Sequence, residues 1–312
     1  MYPISDVLRL RFERGEKKSI KITSGSATAS DLLITEADIV SNSFSIDRYC
    51  VTGNKIEVGS AVAAELSLTL NNTDGKFNKY TFEGVELFVE IGIAGVADSY
   101  IPCGKFTVDE PPRDNMRISL KALDFMMLFD KAADLSKIPF PCTPGEIITK
   151  ACELCGVTLS SSVDFSKLPN CEEGFYAPTT AVTYRQLLQW ACEILGVCAY
   201  MDHNGELMLS WYTDTDTNLT PALRYSGNVF ENDIGISGVT VKAQNVSATA
   251  GTEEYPIVIE GNELISAYGN EATLEARAES ISAGIKNAVG DFKYRPYECS
   301  CMPMPYLYPS TK

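Results

Sequence analysis

The stretch from Lys55 to Lys131 constrains this chain most, because its apolar residues recur at every second position. Val85, Leu87, Val89, Ile91 and Ile93 alternate with Glu86, Phe88, Glu90 and Gly92. Leu66, Leu68 and Leu70 repeat the pattern, as do Ile118, Leu120 and Ala122. Strict alternation puts one set of side chains on one sheet face. Turn signals separate the runs: Asp74-Gly75, Glu83-Gly84, and Pro111-Pro112 followed by Arg113-Asp114-Asn115. The block predicts a meander of antiparallel strands, curled into a barrel or sandwich. It contains no arrangement of catalytic groups.

The rest of the chain divides around that block. Residues 1–33 form a lead-in segment, in which Val7, Leu8, Leu10 and Phe12 suggest a first strand and Ser24 to Ser30 a loop. The first β domain takes residues 34–138, and Pro139, Pro141 and Pro144 mark its end, because proline interrupts helices and central strands. An inserted α/β domain follows at 139–218. Its first helix opens on a capping box, Thr143-Pro144-Gly145-Glu146, and stops at Gly156. A second helix opens on Thr183-Tyr184-Arg185-Gln186 and stops at Gly196. Their ends match: Ala151-Cys152-Glu153-Leu154-Cys155-Gly156-Val157 against Ala191-Cys192-Glu193-Ile194-Leu195-Gly196-Val197, a short internal repeat. The second copy runs into a hairpin, Val197 to Met201 and Glu206 to Trp211, turning at Asp202-His203-Asn204-Gly205, on which both helices should pack.

After a polar linker, Asp214 to Pro221, residues 219–312 read as a second β domain with strands near Gly238 to Ser247 and Tyr255 to Glu260. One long helix runs from about Glu271 to Val289, capped by Asn270 and closed by Gly290, with Leu274, Ala278, Ile281 and Ile285 on one face. The tail from Tyr297, rich in Pro, Tyr, Cys and Met, follows no periodic pattern. The fold class is α+β, mainly β: two antiparallel β domains with a small α/β domain inserted between them.

With 312 residues the chain suits two or three domains. Aspartate and glutamate number 41 against 26 lysines and arginines, a net charge of -15, which argues against sequence-specific nucleic-acid binding. The first twenty residues carry Arg9, Arg11, Arg14, Lys17 and Lys18 and no apolar segment of the signal-peptide kind, and no run is long enough to span a membrane. The ten cysteines are therefore expected reduced, in a cytoplasm.

Each possible reactive group has a plainer reading. Cys152-x-x-Cys155 sits on the apolar face of a helix, with Cys142 and Cys171 at irregular spacing, and reads as buried structural cysteine. Cys299-x-Cys301 has a spacing unlike common metal pairs. His203 is the single histidine, so any Ser-His-Asp or Cys-His mechanism must use it, yet it falls in a turn and reads as solvated. Asn72-Thr73-Asp74-Gly75-Lys76 lacks the alternating oxygen ligands of a calcium loop. The adjacent pairs Asp109-Glu110 and Glu253-Glu254 point to opposite strand faces and cannot act together. No catalytic, cofactor-binding or metal-binding residue is assigned, and the chain reads as a non-enzyme.

The order of motifs carries a resemblance. EVGSAVAAELSLTLNNTDGKF, ELFVEIGI, IPCGKFTVDEPP and ISLKALDFMMLFDK follow one another. This series resembles the hub proteins at the tip of bacteriophage and prophage tails, including baseplate hubs and tail-tip proteins labelled prophage tail endopeptidases. The likeness runs from about Ile34 to about Pro296 and rests on joint order rather than any one motif. It implies a virion structural protein made in the bacterial cytoplasm and placed at the tail tip or baseplate. It also implies a homotrimer whose paired β domains form a pseudo-sixfold ring. Its implied partners are the tail tube or distal tail protein, the tape measure protein and a tip or spike protein, with no cofactor. An acidic lumen in such a ring would repel DNA phosphate. Beside the hub reading stands a tail-associated peptidase or cell-wall hydrolase, an activity the resemblance places in a carboxy-terminal extension. A carbohydrate-binding module is weaker, since only Trp190 and Trp211 could stack on a sugar. The family's second β domain continues past a YRP-like segment. Here Tyr294-Arg295-Pro296 lies near residue 312, so that domain is expected to be incomplete.

Overall fold

A computed structural model describes residues 2–51, 56–109, 116–211, 219–229, 232–252, 254–267, 271–295 and 297–307. The turn read at Pro111-Pro112 and Arg113 to Asn115 lies outside these residues, as do Glu110, Glu253, Asn270 and most of the linker before Pro221.

The first helix corrects the sequence reading. Residues Asp6–Glu13 form α1 rather than a strand, with the Ser5 hydroxyl accepting the Leu8 amide at 3.3 Å. The apolar residues there obey a spacing of four: Phe12 is buried and Leu8 packs beside it, while Val7 and Leu10 face solvent. Seven strands then make one antiparallel sheet: β1 (Lys18–Ser24), β2 (Leu33–Thr35), β3 (Ser45–Asp47), β4 (Glu65–Asn71), β5 (Glu86–Ile93), β6 (Ile101–Val108) and β7 (Arg117–Asp124). Their order is β2-β1-β5-β6-β7-β4-β3. The segment read as a lead-in thus supplies an inner strand, β1.

The alternation in the sequence becomes an inside and an outside. Ile22, Leu66, Leu68, Leu70, Leu87, Val89, Ile118, Leu120 and Ala122 are buried together. The opposite face is polar, with Lys21 to Glu90 at 2.7 Å and Lys121 to Glu65 at 3.4 Å. In β6 the parity changes, from Ile101 and Cys103 to Phe106 and Val108. A bulge against β5 absorbs the extra residue, and Gly104 there has φ +118, with no room for a Cβ beside Phe106 and Arg48. The connection from β2 to β3 makes one bridge to β4, Ile39 with Leu70, flanked by Val40 N donating to Thr69 O at 2.8 Å. The sheet is thus curled around a single core but not closed by a ladder.

The remaining elements build a second core. Helices α2 (Pro144–Cys155) and α3 (Tyr184–Ile194) pack on each other, and α3 packs on the hairpin β8 (Cys198–Met201) and β9 (Leu207–Ser210). The first capping box forms in full. In the second only the Thr183 arm forms, accepting the Gln186 amide at 3.2 Å. The repeat recurs in hydrogen bonds: Gly156 and Val157 close on Glu153 and Cys152 as Gly196 and Val197 close on Glu193 and Cys192.

Further on come the exposed strand β10 (Arg224–Val229) and the short β11 (Ile234–Ile236). The region read as one strand from Gly238 to Ser247 is a hairpin, β12 (Gly238–Ala243) and β13 (Val246–Gly251), turning at Gln244 with φ 51. β14 (Ile257–Glu260) pairs with β12 in parallel. Asn262 caps α4 (Glu263–Ser266), and α5 (Glu271–Val289) crosses β12 and β13 with Ala278, Ile281 and Ile285 buried. β15 (Phe292–Tyr294) pairs with β11, and β16 (Tyr297–Cys301) with β10. The core of the α/β region is continuous with that under α5.

The tail without a sequence pattern closes the first core. Tyr306 is fully buried, 6.2 Å from the Phe12 ring, and its hydroxyl donates to Glu13 Oε1 at 3.1 Å. Tyr2 N donates to Tyr306 O at 2.8 Å. Truncating a buried aromatic costs about 3 kcal/mol or more, so Tyr306→Ala should lower the urea midpoint at unchanged slope. An unchanged midpoint would remove the tail from the fold's stability.

Candidate functional site

His203, Cys152, Cys155 and Asn72 are held in structural roles. His203 is not the solvated turn residue its sequence position suggested. It is 1% exposed, its ring 5.3 Å from that of Tyr2, and Nε2 lies 2.6 Å from the Pro305 carbonyl. A carbonyl only accepts, so Nε2 carries the proton. Burial, with Arg48 nearby, lowers its pKa to about 4, which keeps the ring neutral at ordinary pH. The hairpin is exposed in isolation, but the tail packs over it. That long-range contact had no signal in the turn itself. The turn is built by Asp202, whose Oδ1 accepts the amides of Asn204 at 2.8 Å and Glu206 at 2.9 Å.

Cys152 and Cys155 lie in the second core, where burial raises their pKa values to about 12 and about 11. Neither is a ready thiolate. No disulfide joins any of the ten cysteines. Among the described residues no group of three or more His, Cys, Asp or Glu could hold a metal ion. No described helix is long and apolar enough to cross a membrane. Asn72 is a buried turn-former: its Oδ1 accepts the Phe77 amide at 2.9 Å and its Nδ2 donates to Asn78 at 2.7 Å. Trp190 is buried on α3, so it offers no sugar platform.

The structure brings together a junction that sequence reading missed. The loop before β4 lies along β8, with Gly59 N donating to Val197 O at 2.8 Å and Ala199 N to Ser60 O at 2.7 Å. Arg185 of α3 reaches back, donating to Ala61 O at 3.2 Å, Met126 O at 3.0 Å and Asp130 Oδ2 at 2.7 Å. Asp124, at the end of β7, accepts the amides of Ala64 and Met126, each at 3.0 Å. Its burial raises the pKa to about 6 despite those bonds.

Glu193 lines a cavity of about 200 Å³ with Glu57, Ser60, Gln186 and Gln189. Asn262 donates to its Oε2 at 2.8 Å and to Trp190 O at 3.0 Å, which ties α4 to α3. A Cβ on Gly59 would lie 2.1 Å from Glu193 Cγ, so the loop can sit there only as glycine. The repeat supplied the signal in half: its equivalent Glu153 is exposed and paired with Lys150 at 2.6 Å, whereas Glu193 is enclosed by distant segments. Desolvation raises its pKa to about 7, with the Asn262 bond opposing and Glu57 adding to the shift.

No protein-family model matches the chain, and no curated protein matches it. Among solved structures it is similar to the 43 kDa tail protein of prophage MuSo2 from Shewanella oneidensis, with a TM-score of 0.45 and 18% identity. That match covers 84% of this chain and 76% of the other. The likeness is distant and assigns neither family nor activity.

The unfolded chain releases the Glu193 proton near the ordinary value of 4.5 and the folded chain only near 7. Stability therefore falls as pH rises between those values and stays lower above them. Glu193→Gln keeps an acceptor for Asn262 without the charge. In denaturant titrations the variant should exceed the parent at pH 8 and match it at pH 4.5. Equal stability at pH 8 would contradict the enclosed carboxyl.

Proposed function

We propose that this chain is a non-enzymatic structural component of a bacteriophage or prophage tail tip or baseplate, a hub that joins the tail tube to the tip or spike as a homotrimer. The observation that carries this reading is the β10–β16 ribbon. Arg224, Tyr225, Ser226, Gly227 and Asn228 are all exposed, and the ribbon forms a two-stranded sheet of its own. A two-stranded ribbon is marginal alone, and an uncovered strand edge is a template for another chain.

The first sheet supports the same reading. It ends on short strands, β2 and β3, whose outer edges carry no ladder among the described residues. Self-complementary edges repeated by symmetry close into a ring, and three copies give the threefold symmetry of a hub. The order of strand motifs from β4 to β7 is the series that resembles tail hubs. His203 packs under the tail, and Cys152 and Cys155 lie in the core. The partners proposed on this reading are the tail tube or distal tail protein, the tape measure protein and a tip or spike protein.

Light scattering behind a sizing column, over a range of concentrations, tests the association. The expected mass is that of three chains. A mass of one chain at every concentration would overturn the trimeric reading.

A further inference from the structure

The cavity of about 200 Å³ beside Glu193 collects oxygen donors from two distant parts of the chain. Gln186, Gln189 and Glu193 follow at spacings of three and four on α3, so they share one helix face. Glu57 and Ser60 come from the loop before β4. Close packing holds that loop on the helix: a Cβ at Gly59 would lie 3.0 Å from the Gln189 carbonyl oxygen and 3.1 Å from Glu193 Cδ. Hydrogen bonds on both sides of Ser60, Gly59 N to Val197 O and Ala199 N to Ser60 O, fix the loop against β8 as well. Asn262 donates to Glu193 Oε2 at 2.8 Å, which orients the carboxyl and leaves Oε1 for a further partner. Ser60 is 5% exposed, and its hydroxyl oxygen, sealed from solvent, has no hydrogen-bond partner among the described residues. Buried hydroxyls in folded proteins are partnered, so this one has capacity for a ligand in the cavity that Ser60 lines. The described lining holds no lysine or arginine.

We propose that Glu57, Ser60, Gln186, Gln189 and Glu193 form a calcium site that pins the loop before β4 to α3. Ca²⁺ takes oxygen ligands in a flexible arrangement, and carboxylates, neutral oxygens and water commonly share its shell. Here two carboxylates balance the charge of the ion, while the Ser60 hydroxyl and two side-chain amide oxygens are neutral donors. A pair of carboxylates with neutral oxygens is a different donor set from a cluster of three acidic or thiol groups. Mg²⁺ demands a near-ideal octahedron and keeps several waters, so adaptable glutamine donors favour Ca²⁺. Neither cysteine nor histidine is among the described lining residues, which disfavours the softer metals. None of the five residues belongs to the β10–β16 ribbon, so the site stands independently of the hub reading.

Trp190 also lines the cavity, so its indole can sensitise Tb³⁺, a luminescent ion that takes the same oxygen donors as Ca²⁺. The test is a Tb³⁺ titration of the full chain, stripped of metal with a chelator, under indole excitation. Luminescence should saturate at one equivalent and fall as Ca²⁺ displaces the probe. Glu193→Gln should lose the saturable signal, whereas Glu153→Gln, at the exposed equivalent place in the repeat, should keep it. Ca²⁺ should also raise the thermal midpoint of the unmodified chain, and by more than Mg²⁺ at the same concentration. No saturable signal, a signal that Ca²⁺ does not displace, a signal kept in Glu193→Gln, or a midpoint that Ca²⁺ moves no more than Mg²⁺ would each overturn the site. The midpoint reads the unmodified chain and so decides the matter even if a variant folds poorly.

Discussion

The fold depends on covering the apolar face of one seven-stranded sheet. Leu66, Leu68, Leu70, Leu87, Val89, Ile118 and Leu120 all point to the same side, and fully burying each such side chain is worth about 1.5–3 kcal/mol. A single sheet cannot provide its own cover, so distant segments supply it. Phe12 comes from α1, Phe77 and Phe82 from the connection after β4, and Tyr306 from the far end of the described chain. The bridge of Ile39 with Leu70 follows from the same need, since curling turns one face inward.

What could be read in the sequence follows from the range of each interaction. Strands β4, β5 and β7 of the first sheet and the two glycine-stopped helices were legible because alternation, capping and left-handed glycine are local effects. Thr143, Glu146 and Gly156 act as their spacing predicts. The misses are contacts across the chain. Val7 to Phe12 holds enough apolar residues to suggest a strand, and only the packing of Phe12 against Tyr306 shows why a helix is favoured. His203 belongs to an ordinary hairpin turn until the tail lies over it. Glu193 and Glu153 occupy equivalent places in a repeat, and their surroundings differ because Gly59 and Asn262 come from opposite ends of the sequence.

The same contacts bear on function. Groups with reactive potential are bound into packing, and the junction of Arg185, Asp124, Glu193 and Asn262 fastens the first sheet to the helices and the helices to the later strands. The exposed β10–β16 ribbon is the contrasting feature, with unused strand edges on a well-fastened body. On the proposed function, those edges are where copies of the chain or neighbouring tail proteins would pair.

The central claim is a place in a tail, and it is tested most directly by electron microscopy of induced phage or prophage particles labelled with gold-tagged antibody against this chain. The account predicts gold at the distal end of the tail and nowhere else on the particle. Gold along the tube or on the head, or particles that carry none, would contradict it.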